Sequence, residues 1–90
     1  MIYKTLNKSN WNKGHAKDDQ GRAVLSRSEQ AVARDLRGWI EYEYPSRSEQ
    51  LIAQVTKFLR TLNFDGIAQW NDHPSTTLDE VIMVAKHFEI

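Results

Sequence analysis

Ser46-Arg47-Ser48-Glu49-Gln50-Leu51-Ile52-Ala53-Gln54-Val55-Thr56-Lys57-Phe58-Leu59-Arg60-Thr61-Leu62 is the stretch on which the fold turns. Leu51, Ile52, Val55, Phe58, Leu59 and Leu62 recur at the three- and four-residue spacing that puts side chains on one face of a helix. Ser46 and Glu49 stand at capping-box spacing, where a hydroxyl and a carboxylate satisfy each other's orphan amides. Asn63 and Gly66 suit a helix exit. Together these features predict a helix over 47–62.

The same logic extends in both directions. Ser26-Arg27-Ser28-Glu29 is a second box. Val32, Leu36, Trp39 and Ile40 follow on one stripe, with Ala33 beside it. Pro45 forces a stop, because the residue before a proline is driven out of the α region. A helix over 27–43 is expected. Thr77-Leu78-Asp79-Glu80 is a third box. Leu78, Val81, Ile82, Ala85 and Phe88 then line one face, widened by Val84, and predict a helix over 77–88. Acidic Asp79 and Glu80 at its start and Lys86 and His87 near its end suit the helix dipole.

Ser26-Arg27-Ser28-Glu29-Gln30 recurs unchanged as Ser46-Arg47-Ser48-Glu49-Gln50. The match fades beyond the fifth residue, and the spacing is short for a stacked two-helix repeat. Both copies are therefore read as helix starts under the same local demand.

Ahead of the helices, residues 11–25 read as a β-hairpin. Asp18 opens and Gly21 closes a type I turn, with Gly21 free to take the left-handed conformation that a three-residue hairpin loop requires. Ile2 to Lys8 is too short to assign. The connection 63–76 is long for a helix–helix link. Phe64, Ile67 and Trp70 in it suggest a short helical turn packing down. The expected fold is mainly α with a minor β part: one domain over 1–90, three helices around one core, and an N-terminal hairpin across one end.

The 90 residues are 40% hydrophobic and 27% charged, an ordinary globular composition. Mean hydropathy is −0.64. No apolar run approaches the length of a membrane span, and no signal-peptide core is readable. There are no cysteines, which excludes disulfides, thiolate metal sites and cysteine nucleophiles and favours a cytoplasmic location.

Catalytic chemistry finds little support. His15, His73 and His87 have no metal-ligand spacing, and the four glycines form no phosphate-cradling loop. No nucleophile elbow is present. Asp18-Asp19, Asp79-Glu80 and Glu41-x-Glu43 each fall where a turn or helix end accounts for them. No catalytic residue, cofactor or metal ligand is expected.

Charge is balanced overall, with 12 basic and 12 acidic residues. It is uneven along the chain: residues 1–37 carry eight basic and four acidic side chains, residues 38–90 the reverse. Trp11 and Trp70 lie outside the long helices, and Trp70 leads into Asn71, Asp72 and His73.

Three functions are consistent with this pattern. The first is a small non-catalytic protein-interaction module, acting as monomer or homodimer, with Trp11, Trp70, Asn71, Asp72 and His73 as the partner-binding candidates. Its protein partner is unidentified, and exposed tryptophans would support it. A leftover apolar patch around Met83 and Val84 would serve a dimer. The second is a nucleic-acid binder whose Lys13, Lys17, Arg22, Arg34 and Arg37 touch phosphates, which requires one contiguous basic face. The third is a hydrolase-like enzyme around His73, with Asp72 and a serine or carboxylate from another element in hydrogen-bond reach.

The Trp11-Asn12-Lys13-Gly14 segment, the Asp18–Gly21 turn with Arg22-Ala23-Val24, and Ile67-Ala68-Gln69-Trp70-Asn71-Asp72-His73-Pro74-Ser75-Thr76-Thr77 before a final helix resemble a family of small uncharacterised bacterial and phage proteins. In that family a Trp-Asn-Asp tripeptide precedes the last helix. The resemblance covers about residues 11–88. It implies the fold boundaries and carries no activity, cofactor or partner.

Overall fold

Leu51, Val55 and Leu59 are the buried edge of the helix that organises the molecule, and everything else is arranged on that edge. The computed structural model describes all residues, 1–90. In chain order it contains α1 (Ile2–Thr5), β1 (Ala16–Lys17), β2 (Ala23–Val24), α2 (Leu36–Glu43), α3 (Ser48–Arg60), α4 (Ile67–Asp72) and α5 (Leu78–His87). Five helices thus replace the three expected, and the mainly α character with a small antiparallel hairpin stands.

A core of 12 residues draws on every helix: Ile2 and Leu6 from the α1 region, Leu36 and Ile40 from α2, Leu51, Val55 and Leu59 from α3, Ile67 and Trp70 from α4, Val81 and Ala85 from α5, and Ile90 beyond it. α1 packs on α2 and α5, α2 on α3 and α4, and α3 on α4. The backbone amide of Ile2 donates to the carbonyl of Ile90, and the Tyr44 hydroxyl donates to the same carbonyl at 3.1 Å.

The largest departure from expectation is the first long helix. It starts at Leu36, not Arg27. Its N-cap is Asp35, whose carboxylate accepts from the Gly38 amide at 2.7 Å. Ala33 and Arg34 are instead bridged to Lys17 and Trp11. Val32 N–H donates to Lys17 O at 2.8 Å, Lys17 N–H to Ala33 O at 3.0 Å, and Arg34 N–H to Asn10 O at 3.0 Å. A helix through this segment would forfeit all of those bonds. Ser28 caps a local turn, accepting from Gln30 N–H at 3.1 Å, so its hydroxyl favours the loop over the helix. Val32, expected on the buried stripe, is 48% exposed.

Gly38 makes this arrangement fit. A Cβ there would stand 3.0 Å from Asp35 Oδ1 and 3.2 Å from the Cβ atoms of Arg34 and Ser26.

The other helix starts divide. Thr77 caps α5, accepting from Glu80 N–H at 3.2 Å, as its box predicts. The Ser46–Glu49 box does not form: the N-cap of α3 is Arg47, and no side chain bonds the first turn. α3 exits at Asn63, which takes the left-handed conformation (φ 70°) and sends the Phe64 amide back to Leu59 O.

The hairpin pairs Ala16 with Val24 and Lys17 with Ala23. Gly21 sits at φ 76°, as the turn requires. Asp18 Oδ1 accepts from the amides of Gln20 and Arg22, both at 2.9 Å. The Arg22 amide, assisted by the Gln20 amide and the Arg22 guanidinium, holds the Asp18 carboxyl below its ordinary value of 3.8 against the cost of burial.

Asp35 moves the other way. Burial raises its pKa above 3.8, aided by Asp72 and Glu41 and opposed by the Gly38 amide and Arg37. The signs give a testable pH profile. The Asp35 charge costs stability above its raised pKa, so stability rises as acid neutralises it. The Asp18 contribution is present above 3.8 and is lost as pH falls through its depressed folded value. Stability measured by urea unfolding is expected to rise slightly on mild acidification and then fall below about pH 3.8. Asp35→Asn is expected to remove the rise, and Asp18→Asn to flatten the fall.

Candidate functional site

The residues singled out around the two outlying tryptophans do come together, and Asn71 is where they meet. Asn71 is completely buried near the end of α4. Its Oδ1 accepts from the Trp11 indole N–H at 2.8 Å and from the Leu36 amide at 3.1 Å. Its Nδ2 donates to Asn12 O at 3.2 Å and to Asp72 Oδ1 at 3.1 Å. One carboxamide therefore fastens the N-terminal segment, the first turn of α2 and α4 to one another. Both lone-pair sites of its oxygen and both of its protons are used.

The neighbours complete this clasp. Asp72 Oδ1 accepts from the Gly14 amide at 2.8 Å, and Lys13 Nζ donates to His73 O at 2.6 Å, closing the carboxyl end of α4. Thr76 Oγ1 donates to Trp70 O at 2.6 Å. Trp70 is 3% exposed and belongs to the core; Trp11 is half-buried with its N–H spent on Asn71. Neither indole stands free as an aromatic platform. Asn12 Oδ1 is the one buried side-chain acceptor without a partner, and it lies within this clasp.

His73 faces its own turn. Its Nδ1 is 2.7 Å from Ser75 Oγ and accepts from the Ser75 amide at 3.1 Å, while its ring packs edge-on to Phe64 at 5.7 Å. Asp72 makes no hydrogen bond to the imidazole: its Oδ1 accepts from Gly14 and Asn71, and the bonds of the ring run to Ser75. The serine at His73 comes from two residues along the same turn, not from another element.

The five cations read as phosphate contacts do not form one free set. Arg34 is 2% exposed, the largest fully buried side chain in the molecule. Its Nε and Nη2 donate to the carbonyls of Ser26 at 2.6 Å and Ser28 at 2.8 Å. Its guanidinium lies 3.7 Å from the Tyr42 ring centroid and 4.6 Å from that of Trp39. Burial lowers its pKa, while Tyr42 and Glu43 act to raise it. Arg22 is paired with Asp18 at 3.0 Å and Arg37 with Glu41 at 3.5 Å. Lys13 is engaged at His73, and Lys17 is exposed.

A different surface is open. α3 and α5 meet through rings rather than backbones: Phe58 stacks on His87 at 5.1 Å and meets Phe88 edge-on at 5.8 Å. This leaves a groove of about 310 Å³ lined by Phe58, Leu62, Trp70, Met83 and Val84, with Glu80 and His87 also at its walls. Met83 is 69% exposed and Leu62 51%. Leu62, placed on the core stripe by spacing, lies past the end of α3, where the stripe no longer faces the core. Of the residues that line it, the sequence pattern set apart Trp70 as a partner-binding candidate and Met83 with Val84 as a leftover apolar patch. No three His, Asp or Glu side chains come together in a metal-holding group.

The family of unknown function DUF6197 matches residues 3–87. The chain belongs to this family. No curated protein and no solved structure matches it. The DUF6197 match takes in all but the first residue of α1, the hairpin and the whole of α5, so the Asn71 clasp and the α3–α5 groove both lie within the family's span.

Proposed function

We propose that this DUF6197 protein is a small non-catalytic protein-interaction module, and that the face it uses is the α3–α5 groove. The observation that carries the reading is the exposure of Met83 and Leu62 over a floor of Trp70 and Phe58. What supports the reading is that Met83 and Leu62 line the same apolar groove and so form one patch, the kind of surface that marks a contact site. The Trp-Asn-Asp segment serves this role indirectly, by holding α4 and its Trp70 in place.

The occupant that the charges favour is a second copy of the chain. Glu80 stands toward one end of the groove, and Lys57 and His87 border its other end beside Phe58. A two-fold axis across the groove reverses one α5 against the other. Glu80 of each copy then meets Lys57 and His87 of its partner, and Met83 meets Met83. An isologous interface requires such a self-complementary patch. A cytoplasmic setting, supported by the absence of cysteine, and an accessory role in a bacterium or phage complete the proposal.

Sedimentation equilibrium tests it. The wild-type chain is expected to exceed its monomer mass of 10.5 kDa at submillimolar concentration. Met83→Asp is expected to weaken association at least about tenfold, the effect of placing a charge at an interface centre. Its thermal unfolding should be unchanged, because Met83 is exposed. A wild-type chain that stays monomeric throughout would overturn the reading, as would a Met83→Asp variant that associates equally well.

A further inference from the structure

Glu80 and His87 both belong to α5 and both line the α3–α5 groove. Their separation in sequence is two helical turns, about 10 Å along one face at the helical rise. That is too far for the two to pair within one chain. Neither they nor Lys57 enters an ion pair in the chain. Met83 and Val84 lie midway between them, on the same groove. A two-fold axis set at that midpoint, across antiparallel copies of α5, brings each Glu80 to the other copy's His87.

The imidazole is placed to carry a charge that its own chain does not pair. His87 is exposed in the last turn of α5. Its ring stacks on Phe58 of α3 at 5.1 Å and meets Phe88 edge-on at 5.0 Å. An aromatic face and the negative end of a helix dipole both suit an imidazolium. The charged groups about it are Lys57 of α3, Lys86 and Glu80 of α5, and Glu89 just past the helix. The two lysines oppose an added charge, and no carboxylate of the same chain lies within ion-pair distance of the ring. A second copy supplies the missing carboxylate.

We propose that self-association through this groove is gated by pH, protonation of His87 in each copy completing an ion pair with Glu80 of the other. This gate rests on the groove being the self-association face. Association then takes up protons, so it tightens as pH falls. Imidazole is the ordinary side chain that changes charge between about pH 5 and 8, a window in which carboxylates stay ionised. His15 and His73 do not line the groove or its border. Symmetry doubles the effect. Two pairs per dimer, each with the modest worth of an exposed ion pair, change Kd about tenfold. Lys57 keeps its charge throughout, so a weaker dimer persists at the alkaline end.

Sedimentation equilibrium of the full chain at about pH 5.5 and about pH 8, at constant ionic strength, tests the gate. The dimer Kd is expected to be about tenfold lower at the acidic pH. His87→Gln and Glu80→Gln should each abolish the difference. Both side chains are exposed, and glutamine at position 80 keeps the capping box with Thr77, so the variants should fold. A mixture of the two variants, one of them fluorescently labelled, shows whether the pair spans two copies. Only the mixed dimer retains one His87–Glu80 pair, and it should regain a pH response of about threefold. A dimer whose Kd is equal at both pH values overturns the gate and leaves the self-association face standing. A chain that stays monomeric at both overturns both. Association that weakens on acidification, a response that survives His87→Gln, or a mixed dimer with no response also overturns the gate.

Discussion

Asn71→Ala is expected to cost about 3–5 kcal/mol, a large share of the domain's stability. The substitution strips partners from the Trp11 indole N–H, the Leu36 amide and the Asn12 carbonyl together. Each buried group left unsatisfied costs about 1–3 kcal/mol. Water entering the space lowers the total, since it can bond some of the stranded groups. A folded domain of this size is stable by only about 5–13 kcal/mol. Urea unfolding followed by tryptophan fluorescence measures the loss. Trp11→Phe isolates one of the bonds and is expected to cost about 1–2 kcal/mol. A small effect for Asn71→Ala, under about 1 kcal/mol, would mean that the clasp is ornamental.

Arg34→Ala is the second large effect, with an expected loss of about 3 kcal/mol. Arg34 is a buried cation with no carboxylate within ion-pair distance. Its charge is met by two backbone carbonyls and two aromatic faces. Charged hydrogen bonds contribute about 1.5–3 kcal/mol each, and a partly desolvated cation–π contact about 1 kcal/mol more. The desolvation cost of the guanidinium offsets part of that sum. Arg34→Lys keeps the charge but loses the planar fork, and is expected to recover less than half of the loss. The local consequence is specific: residues 26–34 are held down by Arg34, so limited proteolysis should cut there first in both variants. Equal urea midpoints for wild type and Arg34→Ala would contradict this assignment.

Periodicity located α3 and α5 within a few residues, because their stripes are long and their burial is one-sided. The hairpin was legible at its turn, where Asp18 and Gly21 leave few backbone choices. The segment 26–35 was not. Its Ser–Glu spacing and its Val32–Leu36 interval satisfy helix rules locally, while the competing bonds come from Lys17 and Asn10, far off in sequence. Arg34 is the same lesson in one residue: a basic side chain in a basic stretch reads as surface until its aromatic neighbours are known. Asn71 and Asp72 were readable as loop ties, but their partners at Trp11, Asn12 and Gly14 lie about 60 positions away. The groove was half-visible. Met83 stands off the α5 stripe, whereas Leu62 looks like core until α3 ends before it.

The bonds of Asn71 and Asp72 to Trp11, Asn12, Gly14 and Leu36 make the polar segment beside α4 an internal clasp. Native-state hydrogen exchange of the Trp11 indole N–H and the Leu36 amide tests it most directly. Both are expected to exchange only through global unfolding, with the same free energy as the core of α3. Exchange of the Trp11 indole at the rate of a solvent-open tryptophan would contradict it and return that surface to the list of contact faces.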